Sequence, residues 1–162
     1  LQDQFRERET GKTYLALVKG QWPEKLKVID VPLHKFLLAD GERRVRVTRA
    51  DDPDAMRAIT LVKVARHWAA PPGLADGLSL LEVTIKTGRT HQIRVHLASS
   101  GHPIAGDDKY GDFDFNRQLM RVGLKRMFLH AWRLRLTHPV SKEAVQLQTE
   151  LPSELQVFVD SL

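Results

Sequence analysis

Short segments of period-two alternation, joined by links too brief for a helical crossover, most limit what this chain can fold into. Arg44 to Arg49 puts Val45 and Val47 on one face and Arg44, Arg46 and Thr48 on the other. Leu80 to Lys86 sets Leu81, Val83 and Ile85 against Glu82, Thr84 and Lys86. Met127 to Thr137 sets Phe128, His130, Trp132, Leu134 and Leu136 against Leu129, Ala131, Arg133 and Arg135. Such alternation marks strands with one face buried. Thr13 to Lys19 and Ala144 to Thr149 read as two more strands. Ala58 to Ala65 is apolar on both faces apart from Thr60 and Lys63, which suits a central strand. Parallel neighbours need a crossover of about a dozen residues or more. The expected fold is therefore α+β, a mixed, mostly antiparallel sheet with few flanking helices.

Two helices are expected. Thr90 can N-cap one that runs to Ser100, with Gly101 closing it and Pro103 preventing continuation. Ile93 and Leu97 give that helix an inward stripe. Pro152 to Leu162 reads as a C-terminal helix with Pro152 in its first turn. Loops are expected at Asp40-Gly41, 50–55, 70–77 and 106–116. The chain opens on Leu1, and its first residues read as the tail of a helix before a turn at Thr10-Gly11. A domain rarely starts there, so an upstream part is expected.

The chain has 162 residues, 42% hydrophobic and 28% charged, which suits one compact domain. It has no cysteine, which excludes disulfides and thiolate metal sites and makes a cytoplasmic setting the default. No apolar run approaches the roughly 20 residues of a membrane span. Lys and Arg total 25 against 20 acidic residues, for a net charge of +5. A polyanionic partner fits that balance, as does an ordinary arginine-rich soluble protein.

The densest chemistry lies in Lys86-Thr87-Gly88-Arg89-Thr90-His91-Gln92-Ile93-Arg94-Val95-His96. A strand ends in a glycine turn and a helix begins at once, a place where free backbone N–H groups attract anions. Arg94 falls in the first helical turn, where a cation opposes the helix dipole, so it calls for an anionic partner, a carboxylate or a phosphate. The following loop, Gly106-Asp107-Asp108-Lys109-Tyr110-Gly111, could hold a metal, a general base or only turns. His91 and His96 are five apart rather than the four of a helical zinc pair, and no metal site is expected. His130, among apolar residues, reads as a hydrogen-bonded core histidine.

Thr87 to His96, followed by Gly101-His102-Pro103-Ile104, Gly106-Asp107 and Tyr110-Gly111, resembles the signature of the RluA-type RNA pseudouridine synthases. Lys12-Thr13-Tyr14 resembles the family's lysine–x–tyrosine strand, and Phe128-Leu129-His130-Ala131 with His138-Pro139 its late strand and hairpin. Asp112 to Arg126 is similar to the C-type subgroup that modifies large-subunit ribosomal RNA. The resemblance implies isomerisation of uridine to pseudouridine in RNA, without cofactor or metal, by a cytoplasmic enzyme, with a monomer favoured. It implies that Tyr14 stacks on the flipped base and that Arg94 pairs with the nucleophilic aspartate. Leu129 would wall the uracil pocket, and Lys86, Arg89, Thr90, His91 and Gln92 would contact substrate.

In that family the nucleophile lies in a histidine–arginine–leucine–aspartate block upstream of the tyrosine strand. No such block occurs here, and none of Asp3, Asp30, Asp40, Asp107 or Asp108 has that context. Residues 1–162 are then expected to be the C-terminal portion of one catalytic domain, inactive alone. Two other readings stand beside this one: a non-catalytic RNA-binding module on the same fold, and a structural domain whose basic turn packs against an acidic neighbour.

Overall fold

The computed structural model describes residues 11–89, 91–137, 141 and 144–162. Thr90, His138 and Pro139, and the expected helix tail before Gly11, lie outside the described residues.

The described elements are β1 (Gly11–Lys19), β2 (Val28–Asp30), β3 (Leu33–Leu37), β4 (Arg43–Val47), β5 (Ile59–Trp68), β6 (Leu78–Ile85), α1 (Gln92–Ser99), α2 (Phe113–Arg121), β7 (Leu129–Thr137), β8 (Ala144–Gln148) and α3 (Ser153–Asp160). Six strands form one sheet in the order β2-β5-β6-β1-β7-β8, and β3-β4 form a separate hairpin. Every strand pairing among the described residues is antiparallel. No described helix is long and apolar enough to cross a membrane.

The central strand is β1, with consecutive residues Leu15, Ala16, Leu17 and Val18 all buried. Its alternation feeds two cores. Leu15 and Leu17 join Leu78 and Leu80 of β6, Phe115 and Leu119 of α2, and Leu155 and Phe158 of α3. Ala16 and Val18 join Leu81 and Val83 of β6, Val62 of β5, and Ile93 and Leu97 of α1. The molecule is therefore three layers, with α2 and α3 on one face of the sheet and α1 on the other.

Several expectations are corrected. The strand read as central, β5, lies one place from the edge. Its outer partner β2 pairs only with Ile59 to Leu61, so Lys63 and Ala65 to His67 are exposed. Thr60, already set apart from the apolar positions of that strand, is fully buried and held by polar partners. The stretch read as a polar loop up to Asn116 contains the start of α2. Asp112 caps that helix by accepting from the Phe115 amide at 3.0 Å, and Phe115 and Leu119, four apart, supply its buried stripe. His130 is half-buried and bonds Thr149 Oγ1 at 3.0 Å, so it is no core residue.

Candidate active site

The site begins where β6 runs out and α1 starts. His91 is the N-cap, with φ +51° and no side-chain cap, and the helix proper starts at Gln92. A left-handed non-glycine residue at this junction is strained, and such strain concentrates at functional sites. The other end follows the expected pattern. Gly101 (φ +87°) sends its N–H to the Ala98 carbonyl and His102 sends its N–H to Leu97, which is a Schellman closure.

Half of this segment faces inward and is used up there. Gln92 is 2% exposed. Its Oε1 accepts from Thr87 Oγ1 at 2.7 Å and from the Arg89 amide at 3.1 Å. Its Nε2 donates to the Ile59 carbonyl and to Thr60 Oγ1, both at 2.9 Å. All four hydrogen-bonding positions are taken, so Gln92 offers substrate nothing; it anchors the turn to β5. Thr60 Oγ1 lies 2.7 Å from His96 Nδ1, and His96 Nε2 lies 2.8 Å from the Val31 carbonyl. The consistent tautomer has Nε2–H donating to Val31 and Nδ1 accepting from Thr60. Burial pushes the His96 pKa down, despite the Val31 carbonyl and Asp30 pulling upward.

The outward half carries the charges. Lys86 and Arg89 are exposed, with Arg89 Nε donating to the Arg57 carbonyl at 3.0 Å. The anionic partner that Arg94 requires is a carboxylate. Arg94 Nε donates to Asp107 Oδ2 at 2.9 Å and Nη2 to Asp107 Oδ1 at 2.6 Å, a bidentate pair. The two side chains are only 13% and 1% exposed. Burial works to raise the Asp107 pKa, but Arg94 and the Lys109 and Tyr110 amides hold it below the usual carboxylate range.

The 106–111 loop is thereby part of the site, beyond the turns its sequence suggested. Tyr110 covers the Arg94 guanidinium, 5.2 Å from its ring centroid, and its hydroxyl meets His91 Nδ1 at 2.7 Å. Burial first, then the nearby charges of Arg94 and Lys109, lower the His91 pKa. A sequence signal for this loop existed in Gly106-Asp107 and Tyr110-Gly111, but the pairing with Arg94 spans thirteen residues and no local pattern reveals it.

Tyr14 and Leu129 are brought together. Both are partly buried against the cluster that contains Ile93 and Leu97, so they lie on the α1 face of the sheet. Burial pushes the Tyr14 phenol above its usual range. Tyr14 also borders a cavity of about 370 Å³ with Lys12, Ala131 and Leu134.

Comparison with known proteins shows the family. The family described as RNA pseudouridylate synthase matches residues 1–99. The chain is 41% identical over its whole length to ribosomal large subunit pseudouridine synthase C of Pasteurella multocida, covering 46% of that protein. It is 42% identical to the protein of the same name from Escherichia coli K12, covering 100% of this chain and 48% of that one. Among solved structures it is similar to human RNA pseudouridylate synthase domain containing 1, with a TM-score of 0.73 and 30% identity over 93% of this chain and 58% of that one. The chain spans about half the length of the curated relatives it matches. With a family match over more than half its residues and a fold similar to that of a solved pseudouridylate synthase domain protein, the chain belongs to the RNA pseudouridylate synthase family.

Proposed function

We propose that this chain is the C-terminal portion of a catalytic domain that isomerises uridine to pseudouridine in RNA, with large-subunit ribosomal RNA as its substrate. The observation that carries the reading is the grouping of Tyr14 and Leu129 on the same sheet face as the helix that bears Arg94. An aromatic ring and an apolar wall suit a uracil lifted out of the RNA stack. The Arg94 guanidinium, carried by that helix, suits the ionised nucleophile. The base is detached from ribose, turned, and rejoined through carbon 5; uridine and product are isomers, so no external reactant is consumed. Lys86 and Arg89, exposed at the mouth of the turn, supply phosphate contacts.

The test is pseudouridine mapping of unmodified ribosomal RNA after incubation with the longer protein that carries a nucleophilic aspartate, beside residues 1–162 alone. Product from the longer protein and none from the short chain is expected. Product from the short chain would overturn the assignment of the nucleophile to an upstream segment. Tight RNA binding by the longer protein without turnover would establish the non-catalytic module instead.

RNA affinity is also expected to fall steeply with salt, because cations that contact phosphates release condensed counterions. Arg89→Ala should weaken binding and reduce the slope of log affinity against log salt by roughly 0.7–0.9, one contact's worth. Filter binding at several salt concentrations reads both. A slope unchanged by the substitution removes Arg89 from the phosphate contacts.

A further inference from the structure

Among the described residues, the Arg94 guanidinium is gripped on one edge only. Nε and Nη2 are committed to Asp107, while among the described residues Nη1 takes no hydrogen bond. Asp108 stands 3.8 Å from Nη2 but is 89% exposed, so it holds little. The Tyr110 ring covers a face of the guanidinium. Among the described residues, the edge left open is that of Nη1.

Asp107 is itself fixed from several directions. Its Oδ1 accepts from the Lys109 amide at 2.9 Å and the Tyr110 amide at 3.1 Å. Its carbonyl accepts from Asn116 Nδ2 at 2.9 Å, and Asn116 Oδ1 accepts from the Gly106 amide at 2.9 Å. A Cβ at Gly111 would run into that same Asp107 carbonyl, so the loop closes only around glycine. From the other side the β3-β4 hairpin ties the loop down. Val45 N–H donates to Tyr110 Oη at 3.0 Å, Arg44 Nη1 donates to the Lys109 carbonyl at 3.1 Å, and Lys109 Nζ pairs with Glu42 at 2.7 Å. A solvated turn needs none of this; a carboxylate that must aim a guanidinium does.

We propose that Asp107 is a positioning residue for the isomerisation: it clamps the Nε–Nη2 edge of Arg94 so that the Nη1 edge is presented to a second carboxylate, the nucleophilic aspartate. One guanidinium then bridges two carboxylates, one structural and one reacting. The inference rests on the proposed function, since it takes the nucleophile from that reading. Asp107 touches neither substrate nor reacting atoms and acts through Arg94.

The test is Asp107→Asn in the full-length protein. An amide of the same shape must set its NH₂ either in place of Oδ2, against Arg94 Nε–H, or in place of Oδ1, against Arg94 Nη2–H and the Lys109 and Tyr110 amides, all of them donors, so the two-point clamp is lost with little change in volume. At saturating RNA the single-turnover rate should fall roughly a hundredfold, the scale of a mispositioned catalytic group. RNA affinity should stay close to wild type. In an Arg94→Ala background the same substitution should cost no further rate. A wild-type rate for Asp107→Asn, a loss confined to RNA affinity, or an equal loss in the Arg94→Ala background would each overturn the proposal. If Asp107→Asn does not fold, Asp107→Ser keeps a hydroxyl acceptor for the loop amides without a fork partner, and the same comparisons decide. A wild-type protein that forms no pseudouridine would instead sink the proposed function.

Discussion

Arg94→Ala in the full-length protein is expected to lower turnover at saturating RNA by roughly two to three orders of magnitude while leaving RNA affinity nearly unchanged. A cation in a first helical turn costs roughly 0.3–1 kcal/mol against the dipole, and the bidentate pair with Asp107 more than offsets it. Breaking a buried pair typically costs about 3–5 kcal/mol, and each 1.36 kcal/mol is roughly tenfold in rate. Two carboxylates feel the loss. Asp107, only 1% exposed, is left charged and unpaired, which falls on folding; the nucleophile loses its counter-charge, which falls on turnover. The double substitution Arg94→Ala with Asp107→Asn separates them, because a neutral amide no longer needs a cation. Thermal stability should recover in the double variant and turnover should not. Arg94→Lys should rescue only in part, because an ammonium lacks the planar fork. A near-wild-type single-turnover rate for Arg94→Ala would remove this residue from the reaction.

Gln92→Leu is expected to destabilise the full-length protein by about 3 kcal/mol, a large share of the roughly 5–15 kcal/mol that keeps a domain folded. Leucine fills the space but strands Thr87 Oγ1 and the Arg89 amide without their acceptor, and removes a donor from Thr60. Chemical unfolding measures the loss. A change below about 0.5 kcal/mol would mean that water replaces the missing bonds. The same network gives a pH dependence. His96 is held neutral, its pKa lowered by burial. Its stabilising contribution is therefore complete above the ordinary histidine value, near 6.5, and is lost as pH falls below it. A protonated Nδ1 cannot accept from Thr60.

Some of this molecule was legible in its residues alone. Six strands and two helices follow from period-two and four-residue spacing, because burial of one face writes itself into neighbouring positions. The glycine turn and helix start at 88–92 are local as well, and so is the demand that Arg94 meet an anion. Other elements hid. The three residues of β2 are too short to alternate. The hairpin strand β3 has Lys35 and Leu37 exposed beside buried Leu33, so its pattern is blurred. Helix α2 was masked by turn-forming residues that turn out to cap it.

What the sequence determined by itself was the family, the antiparallel sheet and the segment that carries the charges. Only the tertiary structure decided how that segment divides. Thr87, Gln92 and His96 spend their polar atoms inward on β5 and the Val31 carbonyl, Arg94 commits Nε and Nη2 to Asp107, and Lys86 and Arg89 keep theirs at the surface. In the sequence these residues interleave, and nothing in their types separates anchor from contact. Only the tertiary structure, again, chose Asp107 over Asp108 as the partner of Arg94. Two adjacent carboxylates are equivalent on paper; one is 1% exposed and bidentate, the other 89% exposed and distant. The choice is made by a loop pinned between a hairpin and a helix N-terminus, and such long-range closure depends on every packed layer at once rather than on any local run of residues.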